Sequence, residues 1–394
     1  MEVNQIYSLI NSVSSEVLGK TDLVKEDLKG IVDLGKEVYN QNVVDHYVKS
    51  LVNHIGKVVF VNRPYSGKVP SVLMDAWEFG SVLEKISADV PRAEENESWK
   101  LEDGKEYKQD VFHKPTVSAK FFNSKVTFEV PVSITERQVK ESFSSAAQLN
   151  GFLSMIYNAV EKSMTIKTDA LVMRTINNMI AETLDADKAA FGFVPSTNEK
   201  VDYSIASTVR CVNLLKLYKE KTDTTLTVDA AITTPDFIRF AAYTMGLYSD
   251  RLQTISTLFN VGGKERFTPK DVLHTVLLSD FAAAAKTYLY ADTFHEDNVL
   301  LPKAETVASW QATGTDYAFK HVSKIDVISA GGASVSIGGV LGVMFDRDAL
   351  GVTNLDKRVT TNYNAKAEFF NNYYKFDAGY FNDTNENFVV FFIA

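Results

Sequence analysis

The sequence predicts an α+β fold organised around a strand that leads into one very long helix. Residues Val126–Val132 alternate apolar and polar side chains, which is the period of a strand with one apolar face. From Ala146 to Leu184 apolar residues recur every three to four positions, without proline, which predicts a helix of roughly 60 Å at 1.5 Å per residue. The β-branched residues between Thr165 and Thr168 mark the point at which this helix could break.

Composition limits the classes of function. The chain has 394 residues, of which 45% are hydrophobic and 23% charged, enough for a core of two or three packing units. A net charge of −9 argues against a protein that holds nucleic acid tightly through its phosphates. The single cysteine, Cys211, excludes an internal disulfide and a cysteine metal cluster. No secretion signal or membrane-length apolar run is present, and we expect assembly in a reducing cytoplasm and no membrane partner.

Residues 1–62 are predicted to form an N-terminal arm and an entry helix. Two short amphipathic helices, Ile6–Val17 and Leu23–Val32, are expected there, with Gly19, Gly30 and Gly35 as interruptions. A third apolar stripe, Val44–Ile55, leads out of the arm. Helices this short need something to lie against.

Residues 63–125 are predicted to form an extended two-stranded loop with a charged tip. Strand-like segments flank Asp89–Asp110, a stretch with eight acids and four bases in 22 residues. So little apolar content cannot support folding by burial, so the stretch is either a mobile surface loop or lies on something else.

The remaining chain alternates predicted helices and strands. A helix starting at Thr234 has an N-cap, a proline and an acid in its first positions. The other predicted elements are a helix at Ile205–Leu217 that points Cys211 inward, a strand at Val272–Leu278, a helix from Ser279, strands at Lys324–Ile328 and Ile337–Phe345, and closing strands within Ala367–Ile393.

The sequence contains no recognisable catalytic pattern. The six histidines have no metal-binding spacing, and His274, inside an apolar strand, is more typical of a core residue than of a ligand. Gly338-Gly339 lacks a phosphate-loop pattern and favours close packing within a strand. Asp346-Arg347-Asp348 is more typical of a turn than of a catalytic carboxylate pair. We therefore predict no enzyme, no cofactor and no metal site, which favours a structural protein.

Four stretches carry a resemblance to a known family: Ser145–Leu171, Val272–Phe294, Val343–Leu350 and Asn385–Phe391. Together with the order of the parts, they resemble the major capsid protein of tailed double-stranded DNA bacteriophages, which has the Hong Kong 97-like fold. The pattern is nearest to that of small short-tailed phages, and it covers nearly the whole chain.

The resemblance implies that the arm and the stretch Asp89–Asp110 reach across neighbouring subunits. The predicted intersubunit contacts are Glu94, Glu95, Glu97, Trp99, Lys100, Glu102, Asp103 and Lys105.

The resemblance also implies a domain plan and a set of partners. It implies a peripheral domain at 126–184 with the long helix as its spine, an α/β axial domain at 185–356, and return strands of the peripheral domain at 357–394. The protein would form pentamers and hexamers of itself that close into an icosahedral or prolate virion capsid, assembled in the host cytoplasm. Further implied partners are a portal protein and packaged double-stranded DNA, held by weak non-specific contacts.

Two departures from the family pattern and two alternatives stay open at this point. No fused scaffolding segment is recognisable before the arm, which implies a separate scaffolding protein, and no lysine–asparagine crosslinking pair can be matched. The first alternative is an encapsulin-like, non-viral compartment of the same fold. The second is a cytosolic enzyme of unrecognised type.

Overall fold

The structure is a computed structural model. It describes residues 3–20, 24, 31–40, 43, 46–47, 50, 69–74, 83–107, 110, 112–135, 137, 146–194, 201–290, 304–311 and 316–394. The described helices and strands are α1 Val3–Leu18, α2 Ile31–Asn40, β1 Leu73–Met74, β2 Leu83–Ala88, β3 Val117–Phe122, β4 Lys125–Thr135, α3 Ala146–Ala186, β5 Cys211–Asn213, α4 Leu214–Thr222, α5 Val228–Ala231, α6 Pro235–Arg251, β6 Leu273–Leu278, α7 Ser279–Tyr290, β7 Glu305–Val307, α8 Phe319–Val322, β8 Ile325–Ile328, β9 Ser334–Ile337, β10 Val340–Asp346, β11 Leu350–Asn364, β12 Phe369–Asn382 and β13 Phe388–Phe392.

The strand and the long helix are confirmed, and the α+β class with them. Helix α3 has 41 residues, which corresponds to about 60 Å. The expected break at Thr165–Thr168 is wrong, because the helix runs through it without interruption. The hydroxyls of Thr165 and Thr168 donate to the carbonyls of Glu161 and Met164 at 2.9 and 3.0 Å, a local bond that helical backbone accommodates.

A four-stranded sheet with the order β1-β11-β12-β4 lies along α3. Strand β12 pairs antiparallel with β4 from Phe369↔Thr135 to Gly379↔Lys125. The inward-facing side chains of β12 are buried, and Phe128 of β4 packs on Phe376 with ring centroids 5.0 Å apart. Strand β11, which no sequence pattern predicted, pairs with β12 along nearly its whole length.

A five-stranded sheet with the order β5-β13-β10-β6-β7 forms the centre of the other core. Its middle strand β10 is buried at all seven residues. Residues such as Phe345 pack toward α3, and residues such as Met344 pack toward Phe237 of α6 and Phe281 of α7. The prediction that this apolar run is covered on both faces is therefore confirmed.

Glycines allow two close approaches in this sheet. A Cβ on Gly342 would lie 2.6 Å from Leu277 Cδ2 and 2.8 Å from the carbonyl oxygen of Val276 on the neighbouring strand. Gly339 has a φ of +72°, and a Cβ there would lie 2.1 Å from the carbonyl oxygen of Ile393. Of the predicted close packing at Gly338-Gly339, only that at Gly339 is present, and it lies in the connection between β9 and β10 rather than inside a strand.

The helix predicted at Ile205–Leu217 is wrong in its first half. Residues 201–210 form turns and bends, and Cys211–Asn213 form strand β5 beside β13. Helix α4 begins only at Leu214, because the Asn213 side chain accepts the backbone N–H groups of Leu215 and Lys216 and caps it there. Cys211 is buried, as predicted.

Both N-terminal helices have buried apolar side chains, and α1 lies against α3. Ile10 and Val13 of α1 and Leu34 and Val38 of α2 are all buried, and α1 contacts α3. Gly35 lies within α2 rather than interrupting a helix, because burial of Leu34 and Val38 offsets the cost of a helical glycine, about 1 kcal/mol. The predicted stripe Val44–Ile55 and the boundary at residue 62 lie almost wholly outside the described residues.

The remaining expectations are largely met. Strands β6, β8, β12 and β13 and helix α7 lie within or close to their predicted ranges. Helix α6 begins at Pro235, directly after Thr234. The Thr234 hydroxyl does not cap this helix; it donates to the carbonyl of Ala230 at 2.8 Å.

Candidate assembly interface

The extended hairpin, described at residues 83–107, 110 and 112–122, carries the charged stretch that the sequence singled out. Strands β2 and β3 pair antiparallel from Leu83↔Phe122 to Ala88↔Val117 and form a two-stranded sheet of their own. An isolated hairpin of this size is marginally stable in water. Its stability must therefore come from what its two faces contact.

The eight predicted contact residues all lie in the loop between β2 and β3, and those with described side chains project into solvent. Trp99 is 95% exposed. Lys100 Nζ lies 4.0 Å from a Glu95 carboxylate oxygen, and Lys105 Nζ lies 5.4 Å from the centre of the Tyr107 ring. Glu94, Glu102 and Asp103 are also exposed, while Glu97 begins a single 3-10 turn and its side chain is outside the described residues.

An apolar row on the outer face of the hairpin stem was missed by sequence reasoning. Ile86, Val117 and Phe121 are 66%, 58% and 62% exposed. The register places all three on one face, together with Glu84, Ala88 and Ala119. The signal was the alternation of Val117, Ala119 and Phe121, which correctly indicates a strand with one apolar face but not whether that face lies on the subunit's own core.

The inner face of the stem is attached to the core by aromatic packing and by ion pairs. Phe122 is buried and its ring centroid lies 5.1 Å from that of Phe381. Lys85 Nζ lies 3.0 Å from Asp383 Oδ2 and 2.7 Å from Glu386 Oε1, and Lys120 Nζ lies 3.0 Å from Asp383 Oδ1. Neither acid is near in sequence, so this attachment could not be predicted from local pattern.

The pKa shifts of Asp383 and Lys85 both favour the charged form. Burial would raise the pKa of Asp383, but the charges and hydrogen bonds of Lys85 and Lys120 outweigh it and hold this pKa below its usual value. Burial would lower the pKa of Lys85, but Glu386 and Asp383 outweigh it and raise this pKa. Both groups are therefore ionised at neutral pH.

The residues that the sequence analysis considered for catalysis, His274, Asp346 and Cys211, do not form a catalytic group with one another. His274 is half-buried and stacks on Phe345, with ring centroids 5.5 Å apart, and burial lowers its pKa. Asp346 ends β10, where it accepts bonds from Thr268 Oγ1 at 2.8 Å and the Asp348 N–H at 2.9 Å, which confirms the predicted turn. Burial raises the pKa of Cys211 well above its usual value, so the thiol stays protonated.

No group of three or more histidine, cysteine or acidic side chains in the described part of the chain could hold a metal ion. No helix among those residues is long and apolar enough to cross a membrane.

Comparisons with known proteins find similarity to phage capsid proteins. The major capsid protein of Bacillus phage B103 is 24% identical over 219 residues, a match that covers 54% of this chain and 45% of the relative. The chain thus spans about half the length of this curated relative. Among solved structures, the capsid of Staphylococcus phage Andhra has 9% identity and a TM-score of 0.47, covering 85% of this chain and 86% of that chain. The capsid of cyanophage P-SCSP1u has 13% identity and a TM-score of 0.44, covering 85% and 92%.

The family model decides the assignment within that class. A model described as Phi29-like phage major capsid protein matches residues 9–392, almost the whole chain. The chain belongs to the family of Phi29-like phage major capsid proteins. This result favours the capsid interpretation over the encapsulin-like compartment and the unrecognised enzyme.

Proposed function

We propose that this chain is the major structural subunit of a tailed-phage head. Copies of it assemble through pentamers and hexamers into the closed shell that holds the double-stranded DNA, first in the host cytoplasm and then in the virion. One observation carries this proposal. In a single subunit of this chain, which belongs to the capsid family, the extended hairpin exposes both its charged tip and its apolar outer row to solvent.

The outer row supplies the physical reason for association. Ile86, Val117 and Phe121 keep most of their surface in water in the single subunit. Burying apolar surface against a second copy is favourable by about 25 cal/mol per Å². The occupant we propose for this face is therefore a neighbouring subunit of the same chain, repeated around the shell.

The charged tip has a different role in this proposal. Glu94, Glu95, Glu97, Trp99, Lys100, Glu102, Asp103 and Lys105 contact the neighbouring subunit. Exposed ion pairs are worth only about 0–1 kcal/mol each, so the acids and bases of the tip set register and reversibility more than strength. Repetition over many subunits makes assembly salt-dependent.

The domain plan and the further partners are also part of the proposal. The arm at 1–62 and the extended loop at 63–125 reach neighbours, while the segments 126–184 and 357–394 form a peripheral domain around α3. The segment 185–356 forms the axial domain, although β11 runs continuously through residue 356. A separate scaffolding protein and a portal protein assist assembly, and the net charge of −9 suits weak, non-specific contact with packaged DNA. The chain has no catalytic role.

Reversal of charge at the tip tests the proposal. Changing Glu94, Glu95 and Glu97 to Lys should block shell formation in electron micrographs, while thermal unfolding of the subunit stays as in the wild type. The matched control changes the same three residues to Gln, which removes charge without reversing it and should shift the salt optimum only. Normal shells from the Lys variant would contradict the intersubunit role of the tip.

Protease sensitivity and arm deletion extend the test. Cleavage between Ala93 and Lys105 should be fast in free subunits and slow in shells, and Trp99 should be protected from solvent only in shells. Equal cleavage rates in both states would show that the tip is a free surface loop. Deletion of residues 1–40 should leave a folded core that forms no regular shells; regular shells from this variant would leave the arm without the proposed role.

A further inference from the structure

Two lysines stand directly opposite each other in the extended hairpin. Lys85 on β2 and Lys120 on β3 are register partners on the inner face. Like charges directly opposite on paired strands destabilise the pair. Here the Asp383 carboxylate compensates them, because each of its oxygens lies 3.0 Å from one of the two ammonium groups. The two strands are thus attached to one acid on the core.

Glu386 extends the arrangement to the core side. Its Oε1 atom lies 2.7 Å from Lys85 Nζ and 3.2 Å from Arg266 Nε. The side chains of Asp383 and Glu386 are only 3% and 10% exposed, so water screens these pairs far less than those of the tip. A second pair, Lys264 with Asp89 at 3.1 Å, lies where the stem gives way to the loop.

The turn that carries both acids is itself firmly held. It joins β12 of the four-stranded sheet to β13 of the five-stranded sheet. The Asp383 N–H donates to Ala349 O at 2.7 Å, the Asn385 N–H donates to Asp383 Oδ1 at 3.1 Å, and the Gly262 N–H donates to Thr384 O at 2.8 Å. Because the hairpin is attached to this turn, its orientation is set by the junction of the two sheets.

We infer that Asp383 and Glu386 are positioning residues for assembly: through Lys85 and Lys120 they hold the extended hairpin at the angle at which it meets the neighbouring subunit. The inference rests on the proposed function, in which the hairpin contacts that subunit. Loss of Asp383 removes the carboxylate that the two ammonium groups share, while Glu386 still pairs with Lys85, so the opposed lysines repel each other more strongly. The hairpin then opens from the core more often without the core unfolding.

Hydrogen exchange on the full-length subunit tests the local part of this inference. In Asp383→Asn, the amides of β2 and β3 should exchange about tenfold faster or more, because bonds to charged groups contribute enough to change a local opening constant by that factor. Amides of β10 and β13 should keep wild-type protection. The matched control is Asp326→Asn, which removes a 2.6 Å pair with Lys324 at another two-stranded sheet and should leave β2 and β3 unchanged.

A second variant keeps the test decisive if Asp383→Asn unfolds the subunit. Lys120→Met removes the same pair from the hairpin side, where the lysine side chain is 39% exposed, and leaves the turn intact. It should loosen β2 and β3 alone. When Lys120→Met is combined with Asp383→Asn, much of the lost protection of β2 and β3 should return, because Lys85 then no longer faces a second positive charge. Wild-type exchange of β2 and β3 in both single variants, or strictly additive effects in the double variant, would overturn the inference.

Shell formation separates this inference from the proposed function. Asp383→Asn and Lys120→Met should raise the concentration needed for shells and give irregular particles in electron micrographs. A loosened hairpin with normal shells would overturn the positioning role. The tip variants at Glu94, Glu95 and Glu97 leave the attachment to Asp383 unchanged, so their failure to affect assembly would count against the proposed function alone.

Discussion

Removing the apolar outer row of the extended hairpin should weaken assembly without weakening the subunit. We would change Ile86 and Phe121 together to Thr, because threonine keeps the strand propensity of the stem and removes most of the apolar surface. Both side chains are exposed by about two thirds, 66% and 62%, so little of their burial energy has been gained in the single subunit. The effect should therefore appear on association.

The magnitude follows from that exposure. Full burial of a large apolar side chain is worth roughly 1.5–3 kcal/mol relative to full exposure. About two thirds of this is still to be gained at each position, so the pair should lose roughly 2–4 kcal/mol for each contact between neighbours. At about 1.4 kcal/mol per factor of ten, the pairwise association constant should fall roughly 30- to 700-fold.

The assay is the subunit concentration at which shells first form, followed by light scattering and counted by electron microscopy. Urea unfolding of the free subunit should change by no more than about 0.5 kcal/mol, as is usual for exposed positions. Ile86→Val with Phe121→Leu keeps the face apolar and should assemble nearly normally. Ile328→Thr, at another exposed strand position (71%), controls for a general loss of surface apolarity. Wild-type assembly by the Thr pair would refute the argument that this row is an interface.

Three further predictions concern the subunit itself. Gly342→Ala should lower the free energy of unfolding in urea by roughly 1–3 kcal/mol, because its Cβ would lie 2.6 Å from Leu277 Cδ2, whereas Gly338→Ala, with nothing within 4 Å, should cost far less; equal costs would contradict the packing argument. Met155→Pro should remove a backbone bond inside α3 and cost roughly 3 kcal/mol or more in the same assay, with Met155→Leu as control; soluble, fully assembled particles from the Pro variant would contradict a continuous α3. The pKa of Asp383 is lowered in the folded state, so its contribution to stability is present above the unfolded pKa of about 3.9 and is lost as the pH falls through the lower folded value. Below about pH 4 the free energy of unfolding of Asp383→Asn should therefore depend less steeply on pH than that of the wild type. An unchanged pH dependence would exclude this role of Asp383.

Patterns with a short period predicted the regular elements well. Helix α3 and strand β4 were expected from the spacing of apolar residues, since both periods repeat within a few positions. Strand β10 was expected from its unbroken apolar run. The failures occurred where a single local bond overrode the pattern, as when Asn213 caps α4 and confines the preceding residues to β5. Strand β11 was missed because its outer half is polar, and its pairing with β12 supplies what its own composition does not.

The sequence by itself determined the class of fold, the strand that leads to the long helix, and the presence of a charged excursion that cannot fold alone. Only the tertiary structure decided how that excursion is held. In the sequence, Lys85 and Lys120 are two ordinary charged residues in strands of alternating pattern. Their partner Asp383 lies 263 positions beyond Lys120, too far for any local pattern to connect them. Their contact depends on how three chain segments meet in space. Periodicity records which face of a local element is apolar, but it carries no information on which distant charge will lie opposite, nor on whether an apolar face such as that of Ile86 meets the same chain or the next one.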